Sequence, residues 1–208
     1  MKVEFIFDLQ RFDALEISNT GDGVMIVGTS EDDTIHNAGS QVTISAGAGY
    51  DSINNSGAAV SIDGGENDDE IDNYGSNVTI NGDAGEDYIY NNSAGSEVLI
   101  NAGAGYDSVQ NYASNVTING DAGNDSIEND GSNVTINGGA GDDSIEISGW
   151  YNSINGGDGD DTVYHYGGGN STIAGGAGDD NIDLNNEETE NVLIQYAQGD
   201  GNDIIEGF

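Results

Sequence analysis

The chain closes each of ten short, small-residue loops with an aspartate: Asp33, Asp51, Asp69, Asp87, Asp107, Asp125, Asp143, Asp161, Asp180 and Asp203. The gaps between them are 18, 18, 18, 20, 18, 18, 18, 19 and 23 residues. In several loops a second acid stands directly before the first, as at Asp142 and Asp143. Carboxylates crowded at a tight turn repel one another, more strongly where water is partly excluded. With 39 acidic and only 2 basic residues, Lys2 and Arg11, the chain has almost no side-chain cations to offset that repulsion. The pattern suits a hard divalent cation held by oxygen, with carboxylates and backbone carbonyls sharing the coordination. Clusters of His or Cys that would suit zinc or copper are missing from the sequence, since His36 and His165 stand apart and there is no cysteine. Both histidines read as ordinary strand residues.

The segments between the aspartates also hold fixed offsets. Seven residues before every one but the last stands an isoleucine: Ile26, Ile44, Ile62, Ile80, Ile100, Ile118, Ile136, Ile154 and Ile173. Two residues earlier comes valine at 24, 42, 60, 78, 98, 116 and 134. A second aliphatic column lies two residues after the aspartate: Ile35, Ile53, Ile71, Ile89, Val109, Ile127, Ile145, Val163, Ile182 and Ile205 or its neighbour Ile204. Val-x-Ile is strand alternation, and β-branched residues suit a packed, pleated surface. Each period therefore reads as strand, glycine-rich loop, strand and second turn. Strands this short bury a face only by stacking coil on coil. Four residues after the aspartate, Asn37, Asn55, Asn73, Asn91, Asn111 and Asn129 predict a stacked amide ladder. About ten coils at about 4.8 Å each give a rod on the order of 50 Å long.

Composition alone points elsewhere. A formal charge of −37 with 35% hydrophobic residues is what disordered chains show. The period overrides that reading. The charge excludes nucleic acid and anionic membrane surfaces as partners, because both are bound through Lys and Arg. No apolar run reaches the length of a membrane span, and the absence of cysteine excludes a disulfide framework.

The loops run Ala46-Gly-Ala-Gly-Tyr-Asp51, Gly64-Gly-Glu-Asn-Asp-Asp69 and Gly82-Asp-Ala-Gly-Glu-Asp87, and continue in kind to Gln198-Gly-Asp-Gly-Asn-Asp203. Their consensus, Gly-Gly-x-Gly-x-Asp-x-Ile, resembles the RTX family of nonapeptide repeats over about residues 19–208. That resemblance implies a parallel β-roll with Ca²⁺ held between stacked loops. The expected fold is an all-β, parallel β-roll or β-solenoid of about ten 18-residue coils with two short strands each, preceded by an N-terminal capping segment over residues 1–18. In that segment Val3, Phe5, Phe7 and Leu9 alternate as in a capping strand, while Phe5, Leu9 and Phe12 equally suit a short helix.

The candidate calcium ligands are Asp51, Asp69, Asp87, Asp107, Asp125, Asp143, Asp161, Asp180 and Asp203. With them go the second and fourth residues of the loops: Gly47, Gly49, Gly65, Asn67, Gly85, Gly103, Gly105, Gly123, Gly139, Gly141, Gly157, Gly159, Gly176, Gly178, Gly199 and Gly201. The period is eighteen rather than nine, so one edge carries the motif and one row of calcium is expected. At most nine gaps between loops would bring roughly +18 of bound charge. The first loop, Gly28-Thr-Ser-Glu-Asp-Asp33, has Glu31 in the place of a glycine, which puts its site in doubt.

The resemblance implies export by a type I route and calcium-driven folding outside the cell. The functional reading is a structural rod, fibre subunit or adhesin stalk stacking head to tail into filaments, with glycan or ice binding as the alternative. Tyr50 and Tyr106 fall in loops, Tyr74 and Tyr112 on the other turn, and Tyr88 with Tyr90 on one strand. Outward Thr43, Thr79, Thr117 and Thr135 form a file interrupted by Ser61 and Leu99. No nucleophile–base pairing or P-loop lysine suggests an enzyme. At 187–190 the acids of Glu-Glu-Thr-Glu read as a solvated bulge.

Overall fold

Strand alternation and the eighteen-residue period resolve into two parallel sheets facing each other. In a computed structural model, residues 13–92, 97–185 and 189–207 are described, and no helix occurs among them. Each coil gives one strand to an 11-stranded sheet and one to a 10-stranded sheet, with consecutive coils as neighbours. The first sheet holds the strands that follow the aspartates, such as Thr34–Asn37, Ser52–Asn55 and Glu70–Asn73. The second holds the strands that run into the glycine-rich loops, such as Thr43–Ala48, Ser61–Glu66 and Thr79–Ala84. This is a parallel β-solenoid of about ten coils.

Register follows the isoleucine columns. Ile35 faces Ile53, which faces Ile71 and then Ile89; on the opposite sheet Ile44, Ile62, Ile80 and Ile100 align in the same way. The 20-residue gap keeps register because its extra residues lie in the second turn, so Ile89 still meets Val109. Both columns are buried, and the core is a double file of isoleucine and valine. Burying each such side chain stabilises the coil by about 1.5–3 kcal/mol. A single coil has no second layer to pack on, so its stability depends on its neighbours.

The amide ladder forms as expected. Asn37, Asn55, Asn73, Asn91, Asn111 and Asn129 are buried, and each Nδ2 donates to the Oδ1 one coil on, from Asn37 to Asn55 at 2.8 Å through to Asn111 to Asn129 at 2.6 Å. Asn19 extends the file by one rung at 2.7 Å. Asn37, Asn55, Asn73, Asn111 and Asn129 also close their own turns: Asn55 Oδ1 accepts the Gly57 N–H at 3.1 Å, and its Nδ2 donates to the Gly57 carbonyl at 3.0 Å. The file stops where Ile147 and then His165 take its place in register.

His165 departs from the reading of an ordinary strand residue. It is fully buried and neither ring nitrogen has a hydrogen-bond partner, so desolvation holds its pKa below the usual 6.5. His36 does lie exposed on its strand.

The chain's edges differ in part from expectation. The first strand, Glu16–Asn19, pairs with Thr34–Asn37, so the coil register already runs within residues 1–18. Val3, Phe5, Phe7, Leu9 and Phe12 lie outside the described residues, as do Glu187 and Glu188. Thr189–Glu190 pairs with Gly168–Gly169 in a separate two-stranded sheet, so part of that lengthened turn is structured.

Replacing Asn73 with alanine leaves the Gly75 N–H and both neighbouring amides short of partners. It should cost about 3 kcal/mol of unfolding free energy in saturating calcium. Asn129→Ala, with an amide on one side only, should cost about 1 kcal/mol less. Denaturant titration followed by circular dichroism measures both.

Candidate metal centre

The aspartates close the loops and at the same time begin the strands of the first sheet, where Asp-x-Ile-x-Asn alternates. The carboxylate therefore points inward with the isoleucine and the asparagine. Asp51, Asp69, Asp87, Asp107, Asp125, Asp143, Asp161 and Asp180 are all at most 3% exposed. Asp203, in the last loop, is half-buried.

Each carboxylate has two different oxygens. Oδ1 accepts the backbone N–H of the aspartate one coil earlier: Asp51 donates to Asp69 at 2.8 Å, Asp107 to Asp125 at 2.9 Å and Asp161 to Asp180 at 2.9 Å. This makes an unbroken ladder from Leu15, whose N–H meets Asp33, to Asp203. Oδ2 is the other case. In Asp51, Asp69, Asp87, Asp107, Asp125, Asp143, Asp161 and Asp180 it is buried with no hydrogen-bond partner. Orphaned carboxylate oxygens are costly, and eight in one file are not an accident of packing.

The loops explain what surrounds that file. Strand pairing in the second sheet skips the first loop residue in coil after coil, for instance between the pairs Asp63–Asn81 and Gly65–Asp83. The skipped Cα is flanked by two oxygens from different coils. Gly82 lies against its own Asp87 Oδ2 and the Ala102 carbonyl, Gly120 against Asp125 Oδ2 and the Gly138 carbonyl, and Gly156 against Asp161 Oδ2 and the Gly175 carbonyl. In the nine loops after the first, the second and fourth residues all have positive φ. The predicted glycines there span 104° to 156°, and Asn67 sits at 78°. At Gly65 and Gly105 a Cβ would also collide with the carbonyl oxygens of Gly47 and Gly85, so these carbonyls point along the stack.

This oxygen-lined cradle fits a hard cation. Among the described residues no three His, Cys, Asp or Glu side chains converge as a metal cluster. A cation here would therefore meet carboxylate oxygen together with main-chain carbonyls, which is a calcium-type donor set. Sequence reasoning missed the first loop residue, whose signal was its Gly/Ala column. It also missed Asp83 and Asp121, which replace the second glycine and take the same left-handed backbone at φ 74° and 72°.

The first loop behaves differently. Asp33 Oδ2 accepts the Thr29 N–H at 2.6 Å, and Thr29 Oγ1 reaches Asp33 Oδ1 at 3.3 Å. Its carboxylate is satisfied within its own loop.

Burial, with neighbouring aspartates adding to it, raises the carboxyl pKa values from 3.8. Those of Asp69, Asp87, Asp125 and Asp161 go to about 7, and those of Asp51 and Asp107 to about 6. Asp143 and Asp180 move in the same direction, again mainly through burial. A folded-state pKa above the unfolded value gives stability that is complete below about pH 4 and is lost as pH rises through 6 to 7. In metal-free buffer the β signal, lost at pH 7.5, should therefore be regained as pH falls to 4.5. Circular dichroism of the chain dialysed free of calcium, at the two pH values, checks this.

Comparison with known proteins agrees with this geometry. The model of the RTX calcium-binding nonapeptide repeat matches in four copies, at residues 112–133, 130–146, 151–168 and 167–186. Among solved structures, the chain is similar to a hyperactive, Ca²⁺-dependent, β-helical antifreeze protein from an Antarctic bacterium, with TM-score 0.76 and 26% identity over 91% of this chain. This chain spans 63% of that protein's length. No curated protein sequence matches. The chain thus carries RTX calcium-binding repeats on a parallel β-solenoid.

Proposed function

We propose that this protein is an extracellular calcium-folded rod that serves as a structural module. The observation that carries the reading is the file of eight buried, unpartnered Oδ2 atoms. Asp51, Asp69, Asp87, Asp107, Asp125, Asp143, Asp161 and Asp180 would hold the ions, with loop carbonyls completing each shell. Calcium supplies positive charge where the fold buries negative charge. About eight ions would bring roughly +16 against the formal −37, leaving a net acidic, soluble surface. Each ion that binds only the folded chain stabilises it by RT ln(1 + [L]/Kd), and extracellular calcium modules have Kd values of about 10⁻⁴–10⁻³ M. A calcium-poor cytosol would leave the chain open for export, and the outside would close it. This chemistry favours type I secretion.

Support for end-to-end stacking comes from the ends of the rod. At one end Leu15, Ile17, Val24 and Ile26 line an apolar groove beside the edge strands. In the outermost described strands at the other end, the inward-facing Ile194 and Ile205 are only partly buried. Such ends suit head-to-tail contact, which propagates rather than closes.

A second reading is ice binding, the activity named for the structurally similar antifreeze protein. The outer face of the second sheet pairs a threonine with an asparagine in several coils, as at Thr79 and Asn81, Thr117 and Asn119, and Thr135 and Asn137. The amides form their own ladder, with Asn101 to Asn81, Asn119 to Asn101 and Asn137 to Asn119 each at 2.8 Å. Leu99 interrupts the threonines beside it, so the array is regular in one file and broken in the other.

Removing calcium with EDTA at pH 7.5 should abolish the β signal in circular dichroism, and millimolar calcium should restore it. Asp125→Asn should invert in sign between the two conditions. It should stabilise the metal-free chain, where a buried charge is removed, and lower the calcium-loaded stability by about 1–3 kcal/mol. A β signal indifferent to EDTA contradicts the reading.

A further inference from the structure

Coiling brings together tyrosines that are far apart in sequence. Tyr90 is on the outer face of the first sheet, and Tyr74 and Tyr112 lie at the second turn of the coils on either side. Their rings meet, with centroids 6.0 Å apart for Tyr74 and Tyr90 and 5.6 Å for Tyr90 and Tyr112. Interplanar angles of 56° and 48° mean the rings are not stacked flat on one another. Tyr74 and Tyr112 are 44% and 41% exposed. Asn92 Nδ2 holds the Tyr90 hydroxyl at 3.0 Å, and the Tyr88 hydroxyl donates to Gln110 Oε1 at 3.1 Å.

Acids frame this cluster. Register puts Glu70 beside Tyr88 and Asp72 beside Tyr90 on one flank. On the other flank Gln110 pairs with Tyr90, and Glu128 follows one coil further on. Asp130 is exposed on the same turn edge as Tyr112, one coil away. No Lys or Arg lies anywhere in residues 13–207, so nothing within the described chain answers these charges.

We propose that Tyr74, Tyr90 and Tyr112, flanked by Asp72 and Glu128, form a docking site for an arginine-bearing segment of a protein partner. An aromatic face attracts a cation, and a guanidinium stacks on a ring while its N–H fork reaches a carboxylate. Charge complementarity selects this occupant. A neutral sugar would gain only hydrogen bonds from the carboxylates where a guanidinium gains charge pairing as well, and an anionic ligand is repelled. Tyr164 and Tyr166 pair in the same two columns beside Glu146 and Asp183, but as two rings of one coil stacked at 13°, and Tyr50 and Tyr106 stand exposed in the loops, three coils apart.

The test is calorimetric titration with a short peptide carrying two arginines, at physiological salt and saturating calcium. Wild type is compared with Tyr74→Ser/Tyr112→Ser and with a matched control, Tyr50→Ser/Tyr106→Ser. All three have the same charge, so nonspecific attraction to an acidic rod is equal among them. The site predicts about tenfold weaker binding for the Tyr74/Tyr112 variant and unchanged binding for the control. Calcium-dependent melting checks that each variant folds. If the serine variant does not fold, Asp72→Asn/Glu128→Gln keeps the rings and should weaken the peptide to a similar degree. Equal affinity across the variants, or a neutral hexasaccharide that displaces the peptide, overturns the proposal.

Discussion

Everything in this fold depends on a file of inward-facing carboxylates that does two things at once. Through Oδ1 each aspartate accepts a backbone N–H from the coil before it, which fixes the spacing of the loops. Through Oδ2 it presents an unpaired, buried, negatively polarised atom. The same side chain thus holds the stack together and destabilises it. Net stability rests on what meets the second oxygen: a proton, or a divalent ion. The aliphatic core is one side chain deep per sheet and cannot carry the cost of eight ionised, desolvated groups by itself.

The first coil shows what a metal-independent solution looks like. With Thr29 in place of the second glycine, a backbone N–H reaches the Asp33 carboxylate and the oxygen is satisfied internally. This loop therefore does not rely on an ion. The tips of the loops add a further ladder of opposite polarity: Tyr50 N–H donates back to Asp32 Oδ1 at 2.9 Å, and Asp160 N–H back to Asp142 at 2.9 Å. Inner and outer acids thus both bind main chain from neighbouring coils, but only the inner ones are shut away from water.

Much of this was legible in the sequence because a solenoid turns long-range contact into fixed spacing. Columns at the aspartate offset gave both sheets, the register, the Asn ladder and the glycine-rich edge. The inward direction of the carboxylate was legible too, since Asp33, Ile35 and Asn37 share one strand parity; reading the aspartate as a turn residue hid it. His165 belongs to the same column, four residues after Asp161, where the other coils bury asparagine, Ile147 or Leu184. The tyrosine cluster was not legible. Tyr74, Tyr90 and Tyr112 occupy two different columns, and their meeting depends on how side chains lean across a turn. The Thr29 contact also needed coordinates, because nothing in Gly-Thr-Ser-Glu-Asp-Asp distinguishes a backbone donor from a solvated loop.

The central claim, that divalent ions occupy the spaces between stacked loops, is tested most directly by anomalous diffraction from crystals grown in calcium. The account predicts a single row of anomalous peaks along one edge, each within coordination distance of an Oδ2 from Asp51 to Asp180, and none at Asp33. A coiled chain with that row empty at saturating calcium would contradict it.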